Sequence, residues 1–378
     1  MTSQAKEGLG ALTKGVKDHA RAARSSFLRG LGALVLLRGL GVLVLLRGLV
    51  GALVFSSHTE MNKALMTSLA CSSMPPIGLG TFMLEREACA NVIHSALVAG
   101  YRRIDCAPVY FNEDVIGDAL AAEQNVKRSD LYLVSKLPSP FHRKEHVELA
   151  VRKTLTDLRT DYLDLYLIHW PVAFKYIDID PTKRGWENED IDDSNGGDNI
   201  DPHVSVKETW SAMEDLVDKG FVREIGVSNF PVSLLHELLC TARIPPAVNQ
   251  VELHPYLQQS NLLKYCQARG VSVQAYSPLG TPGYKELDEP NVLQDNVLRS
   301  IASRHNATVP QVCIAWALQR GCSVVAKSTS GERQAENLRS LELTLTPDEM
   351  EEIKSLDRGY RFFRPEDWWH SMAMAVFD

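Results

Sequence analysis

Close cysteine pairs are missing from this chain of 378 residues. Its seven cysteines, Cys71, Cys89, Cys106, Cys240, Cys266, Cys313 and Cys322, form no C-x-x-C unit and are odd in number. Neither a disulfide framework nor a tetrahedral zinc site is therefore expected, and free thiols in a reducing, cytoplasmic setting fit the pattern. A dinucleotide fingerprint is lacking too: Gly30-Leu-Gly32 and Gly39-Leu-Gly41 have no third glycine, preceding strand or correctly spaced acidic residue. The net charge of only -7 gives no reason to expect a nucleic-acid partner. An acidic stretch with Asp190, Asp192, Asp193, Asp198 and Asp201 lacks the closing Glu of a calcium loop, the twelfth position from Asp192 being His203. It reads as a solvated surface loop, and no metal is expected.

What is present divides the chain unevenly. Residues 1–66 hold nine Lys/Arg against three Asp/Glu, leaving 31 against 44 in the rest. From Leu28 a nine-residue near-repeat, Leu-Arg-Gly-Leu-Gly-Ala-Leu-Val-Leu, recurs from Leu37 and Leu46. A membrane span is disfavoured, because Arg38 near its middle would cost roughly 3 kcal/mol. Two readings stay open: an organelle-targeting leader, although its regular repeat is unlike the usual Ser-rich pattern, or low-complexity sequence ahead of a start at Met61 or Met66. The expected organisation is a leader over 1–66 and one folded domain over 67–378.

From about residue 75 short apolar runs alternate with segments of helical period. Strands are predicted at Ile77–Phe82, Arg102–Asp105, Leu131–Ser135, Tyr162–His169, Val222–Ser228, Ala247–Val251, Val271–Tyr276 and Cys322–Ala326. Helices are predicted to begin near Arg86, Glu113, Lys144, Ser205, Pro231, Gln258, Val292 and Glu332, with Pro231 in the first helical position after an Asn229 cap. Eight strands in strict alternation over some 270 residues predict an α/β fold, a (β/α)8 barrel of TIM type. The segment Leu279–Pro290 follows a strand and can fold over a cofactor.

Active sites of such barrels gather at the C-terminal strand ends. Asp105 ends the second predicted strand, Tyr110 follows in its loop, Lys136 ends the third and His169 the fourth. Each alone has an ordinary explanation as packing, cap, solvated tip or satisfied polar group; three successive strand ends together do not. Carbonyl reduction needs a hydride for carbon and a proton for oxygen, and a phenol with a reference pKa near 10 is a weak acid. An ammonium about 4 Å away at an effective dielectric of ~20 favours the phenolate by roughly 4 kcal/mol, or about three pKa units. On that basis Lys136 is expected to bring Tyr110 near neutrality, with Asp105 holding Lys136 and His169 orienting the substrate.

The run Tyr101-Arg-Arg-Ile-Asp105-Cys-Ala-Pro-Val-Tyr110-Phe-Asn112-Glu113 with Ile116-Gly117, the segment Ser135-Lys136-Leu137 and the segment Leu167-Ile-His169-Trp-Pro171 resemble the signatures of the aldo-keto reductases. The resemblance runs from about Met74 to the C-terminus and implies that Asp105, Tyr110, Lys136 and His169 are the catalytic tetrad of an NADP-dependent oxidoreductase. Gly226-Val-Ser228-Asn229-Phe230 and Gln250 are similar to family residues that hold the nicotinamide carboxamide, and Tyr276 to the residue on which the ring stacks. Gly80, Thr81, Ser277 and Leu279 join that implied cofactor set. Lys327, Ser328, Thr329, Arg333, Glu336 and Asn337 resemble the adenosine-phosphate clamp; two cations and a hydroxyl at one strand-to-helix turn suit the 2′-phosphate of NADPH, so NADH is the less favoured cofactor.

Within the family Pro171-Val-Ala-Phe-Lys175, His254-Pro-Tyr-Leu-Gln-Gln259 and Arg361-Phe-Phe-Arg-Pro-Glu-Asp-Trp368 resemble the xylose (aldose) reductase branch. Phe82 replaces a common Trp, Phe363 stands where an Asn often contacts sugar hydroxyls, and Thr329 occupies another usual Asn position. A small, less polar aldehyde is therefore expected, facing a wall of Phe82, Phe111, Trp170 and Trp368 and a C-terminal substrate loop. The resemblance also leaves a rival, an NADPH-binding regulatory or partner subunit with little turnover.

Overall fold

Runs such as Leu163-Asp-Leu-Tyr-Leu-Ile168 are apolar without strict alternation because both faces of the strand are covered, the signature of a parallel sheet wrapped by helices. The computed structural model describes residues 74–186, 199–283, 288–369 and 376–377, all within one compact unit, Ala64–Asp378. The leader reading of residues 1–66 lies outside the described residues, as do most of the acidic stretch and part of the segment after Leu279.

Eight parallel strands close into a barrel in sequence order: β1 Ile77–Gly80, β2 Arg103–Asp105, β3 Tyr132–Leu137, β4 Leu163–Ile168, β5 Val222–Ser228, β6 Val248–Glu252, β7 Ser272–Tyr276 and β8 Cys322–Ala326. β1 pairs with β8 to complete the ring, with Gly78 opposite Val325. Alternation along each strand sends one set of residues to the barrel axis and the other to the helices. Met74, Tyr132, Val134, Leu165, Leu167 and Val248 form one cluster on the axis. The larger core, including Leu133, Leu137, Val227 and Val251, lies between the ring and the helices. On this alternation Asp105 shares the inward face of β2 with Arg103, and Lys136 that of β3 with Tyr132 and Val134.

The surrounding helices are α1 Cys89–Ala99, α2 Glu113–Ala122, α3 Lys144–Leu158, α4 Val206–Asp218, α5 Val232–Thr241, α6 Ser260–Arg269, α7 Asn296–Arg304, α8 Val309–Gln319, α9 Gly331–Leu338, α10 Pro347–Lys354 and α11 Pro365–Trp368. Several starts differ from the sequence reading: α1 begins at Cys89 and α7 at Asn296, each after a single 3-10 turn at the expected position. Pro231 is the extended N-cap of α5 and not its first helical residue, with Asn229 left-handed before it, and α6 begins at Ser260 because Gln259 is left-handed. Between β7 and β8 two helices replace the one expected. Asp295 accepts from the Val297 and Leu298 amides to start α7, and Thr308 with Gln311 forms a capping box that starts α8.

The acidic connection after β4 is not simply solvated at its described ends. Arg184 bonds Asp118 and the carbonyl of Asp114, Trp186 meets Phe141 edge-on at 5.7 Å, and Asp201 accepts from Arg143 Nε at 2.7 Å.

Helix α2, which directs the loop of Tyr110, packs on α3 with no room for a side chain at Gly117: a Cβ there would lie 2.8 Å from Leu158 Cα and overlap the Asp157 carbonyl. Gly117→Ala adds about 1 kcal/mol of helix propensity but overpacks a backbone contact that costs about 1–3 kcal/mol or more. The expected outcome is net destabilisation, read as a melting temperature lower by roughly 2–8 °C in thermal unfolding; an unchanged or raised value overturns this account.

Candidate active site

Lys136 carries a full positive charge into the barrel with no solvent exposure, so every N–H on its ammonium needs an acceptor. It has three: Asp105 Oδ1 at 2.5 Å, the Cys106 carbonyl at 2.8 Å and the Tyr110 hydroxyl at 3.2 Å. Because the ammonium only donates, Tyr110 Oη accepts from it, and the phenolic proton is left for a different acceptor. Asp105 Oδ2 in turn accepts from Gln250 Nε2 at 2.7 Å and Gln274 Nε2 at 3.3 Å. Tyr110 ends a single turn after β2, Pro108–Tyr110, and Phe111 follows in the left-handed region. His169 directly follows β4, its ring edge-on to that of Tyr110 at 5.9 Å.

The charges fall into a consistent pattern. Burial alone would lower the pKa of Lys136, but the adjacent Asp105 and Tyr110 outweigh it and hold the ammonium protonated. Burial, helped by the Lys136 cation, puts His169 well below the usual histidine range, so it is a neutral imidazole. Tyr110 departs from the sequence expectation. Burial raises its pKa above the ordinary phenol value, Asp105 adds to that, and Lys136 recovers only part. The phenol is not brought near neutrality in the free protein; it stays protonated, the state a proton donor must start from.

Around this centre, Ser228 and Asn229 stand at the end of β5. The Ser228 hydroxyl donates to the Gln250 carbonyl, Asn229 Nδ2 donates to the His169 carbonyl, and Asn229 Oδ1 accepts from the Tyr276 hydroxyl at 2.9 Å. Thr81 is fully buried with its hydroxyl on the Asp105 carbonyl, and Gly80 allows Val325 to approach within 3.0 Å of where a Cβ would be. Ser277, left-handed, and Leu279 open the loop after β7, both partly exposed. Beyond β8 the Lys327 ammonium donates to the Met83 carbonyl at 2.6 Å, and burial lowers its pKa. Ser328 Oγ accepts from the Ser330 amide, Ser330 caps α9, and Thr329 and Arg333 are exposed beside that helix start. Among the described residues no carboxylate pairs with Arg333. Glu336 is engaged by Thr308, and Asn337 is buried against Tyr101.

The aromatic rim differs in part from the wall expected. Phe82 packs on Tyr110 at 5.1 Å and on Phe363 at 5.9 Å, and Phe363 is edge-on to Tyr276 at 5.5 Å. Trp170 meets Trp369 at 5.4 Å, while Phe111 makes no ring contact with Phe82, Tyr110 or His169. The Trp368 side chain lies outside the described residues. Sequence reasoning missed Gln274 and Trp369. Gln274 was recoverable, since it precedes Tyr276 by two on one strand and so shares its inward face; nothing in the sequence singles out Trp369. Among the described residues no group of three His, Cys, Asp or Glu side chains is gathered for a metal, and no helix is long and apolar enough to cross a membrane.

The model of the Aldo/keto reductase family matches residues 76–358. The chain belongs to that family. It is 43% identical over 304 residues to an aldo/keto reductase of Synechocystis sp., covering 78% of this chain and 89% of the relative. It is 40% identical to the NADPH-dependent D-xylose reductase of Meyerozyma guilliermondii, covering 78% and 95%. Among solved structures, the aldose reductase from Schistosoma japonicum superposes with a TM-score of 0.70 at 38% identity, over 80% of this chain and 93% of that one. The barrel is thus that of an oxidoreductase of the aldo/keto reductase family.

The weakened acidity of Tyr110 is open to a direct test. In an ultraviolet difference titration of wild type against Tyr110→Phe, the phenolate of Tyr110 is expected only above pH ~10; a midpoint below about 9 contradicts the dominance of burial.

Proposed function

We propose that this protein reduces a small aldehyde or ketone to the alcohol with NADPH, Tyr110 delivering the proton. One observation carries the assignment of roles: all three hydrogens of the Lys136 ammonium have acceptors, one being Tyr110 Oη, so the phenolic hydrogen is the donor left over. As the carbonyl carbon is reduced, its oxygen takes the proton from Tyr110 Oη and the O–H bond of the phenol breaks. The resulting phenolate lies 3.2 Å from the ammonium, an attraction of about 5 kcal/mol at an effective dielectric of ~20. Lys136 therefore acts most strongly on the charge that develops during transfer. Asp105 keeps Lys136 charged and in place. His169, neutral, can donate a hydrogen bond to the same carbonyl oxygen and fix its approach. The phenolate regains its proton from solvent.

The donor set fits a nicotinamide dinucleotide. Ser228, Asn229 and Gln250 offer amide and hydroxyl groups at adjoining strand ends for a carboxamide, and Tyr276 offers a ring held by its hydroxyl. Lys327 and Arg333 flank the positive end of α9, with Ser328 and Thr329 beside them, for phosphate. Gly80, Thr81, Ser277 and Leu279 complete the proposed contacts, with Glu336 and Asn337 toward the adenosine. NADPH, when bound, supplies the hydride. The D-xylose reductase relative is named as NADPH-dependent, which supports the choice. Phe82, Trp170 and Phe363 favour a less polar carbonyl compound over a pentose. The six described cysteines are free, which suits the cytoplasmic location we propose with this reading.

NADPH oxidation with a reactive aromatic aldehyde tests the proposal. Tyr110→Phe is expected to lower kcat by about 10²–10⁴-fold, whereas wild type that binds NADPH without turnover would support the binding-subunit alternative. Arg333→Ala is expected to raise the KM for NADPH by roughly 10–100-fold, the value of a charge-assisted contact, with little change for NADH. Equal losses with both cofactors overturn the phosphate assignment.

A further inference from the structure

Glu252 ends β6 with no solvent exposure, directly opposite Tyr276 on β7. A buried carboxylate in a barrel wall is costly unless its lone pairs are matched. Here they are matched almost entirely by one other stretch of chain. Oε1 accepts from the Phe362 amide at 2.8 Å and Oε2 from the Phe363 amide at 3.0 Å. His254 completes the first oxygen: its Nδ1 accepts from the Tyr256 amide, so its proton sits on Nε2 and is donated to Glu252 Oε1 at 2.9 Å. The Arg361 guanidinium lies 3.8 Å from Oε2 and offsets the charge.

Phe362 and Phe363 belong to no helix or strand, so their amides have no regular partner of their own. Phe363 is also the residue whose ring meets Phe82 on one side and Tyr276 on the other. We propose that Glu252 is a positioning residue that grips the backbone at 362–363, seats the Phe363 ring at the mouth between Phe82 and Tyr276, and so sets a preference for apolar carbonyl substrates. The proposal rests on the reductase reading above. It requires a carboxylate: a glutamine has one acceptor oxygen and turns an NH2 toward one of the two amides, so it cannot accept from both.

The test uses the full chain with Glu252→Gln, Phe363→Ala and the two combined. It measures kcat and KM for benzaldehyde and for D-xylose, and NADPH affinity by fluorescence quenching. Glu252→Gln is expected to lower the ratio of kcat/KM for benzaldehyde over xylose by roughly tenfold, through the KM for benzaldehyde, with NADPH affinity within about twofold. Phe363→Ala is expected to do the same, and the combination no more than either, because both act through one ring. An unchanged ratio in Glu252→Gln, or effects of the two substitutions that simply multiply, overturns the proposal. Should Glu252→Gln not fold, Phe363→Ala alone decides: a ratio equal to wild type refutes it. Wild type inactive on both aldehydes would instead count against the reductase reading.

Discussion

A single buried ammonium organises this molecule. Lys136 cannot reach water, so its charge survives only if acceptors surround it, and all three come from the end of β2 and the turn after it: the side chain of Asp105, the carbonyl of Cys106 and the hydroxyl of Tyr110. Asp105 is fixed from the far side by Gln250 and Gln274. The proposed proton donor is thus oriented by electrostatic necessity, since the hydrogen of Tyr110 is excluded from the one direction where the ammonium already donates.

Burial does two things at this centre. It magnifies every charge–charge interaction, which makes Lys136 effective on a developing phenolate. It also penalises the phenolate in the resting protein, which keeps Tyr110 protonated. The same enclosure keeps His169 neutral. Donor, cation and imidazole therefore rest in three protonation states that suit proton delivery to an oxygen.

That Asp105, Tyr110, Lys136 and His169 come together was legible because strand-end position and residue type coincide: Asp105, Lys136 and His169 fall where alternation and barrel geometry gather side chains. The ring of eight strands was legible for the same reason, with edges shifted by a residue or two. The acidity of Tyr110 was not, because a pairwise estimate from Lys136 omits the desolvation that a closed barrel imposes. The bond from the Gln250 amide nitrogen to Asp105, in addition to its proposed cofactor role, joins β6 to β2 and is invisible to local pattern. The division of α7 from α8 was missed although Asp295 and Thr308 are ordinary caps, since Leu298, Ile301 and Ala302 carry a helical period on toward Val312. The grip of Glu252 on residues 362–363 spans about 110 positions of sequence, and only the folded chain brings the two together.

The support of Asp105 by Gln250 and Gln274 has one more implication. Aspartate and lysine come from β2 and β3, their glutamine braces from β6 and β7, on opposite arcs of the ring. The proposed acid–base groups sit on one arc, but the amides that fix Asp105 reach them only across the closed ring, so turnover in this reading doubles as a gauge of barrel closure.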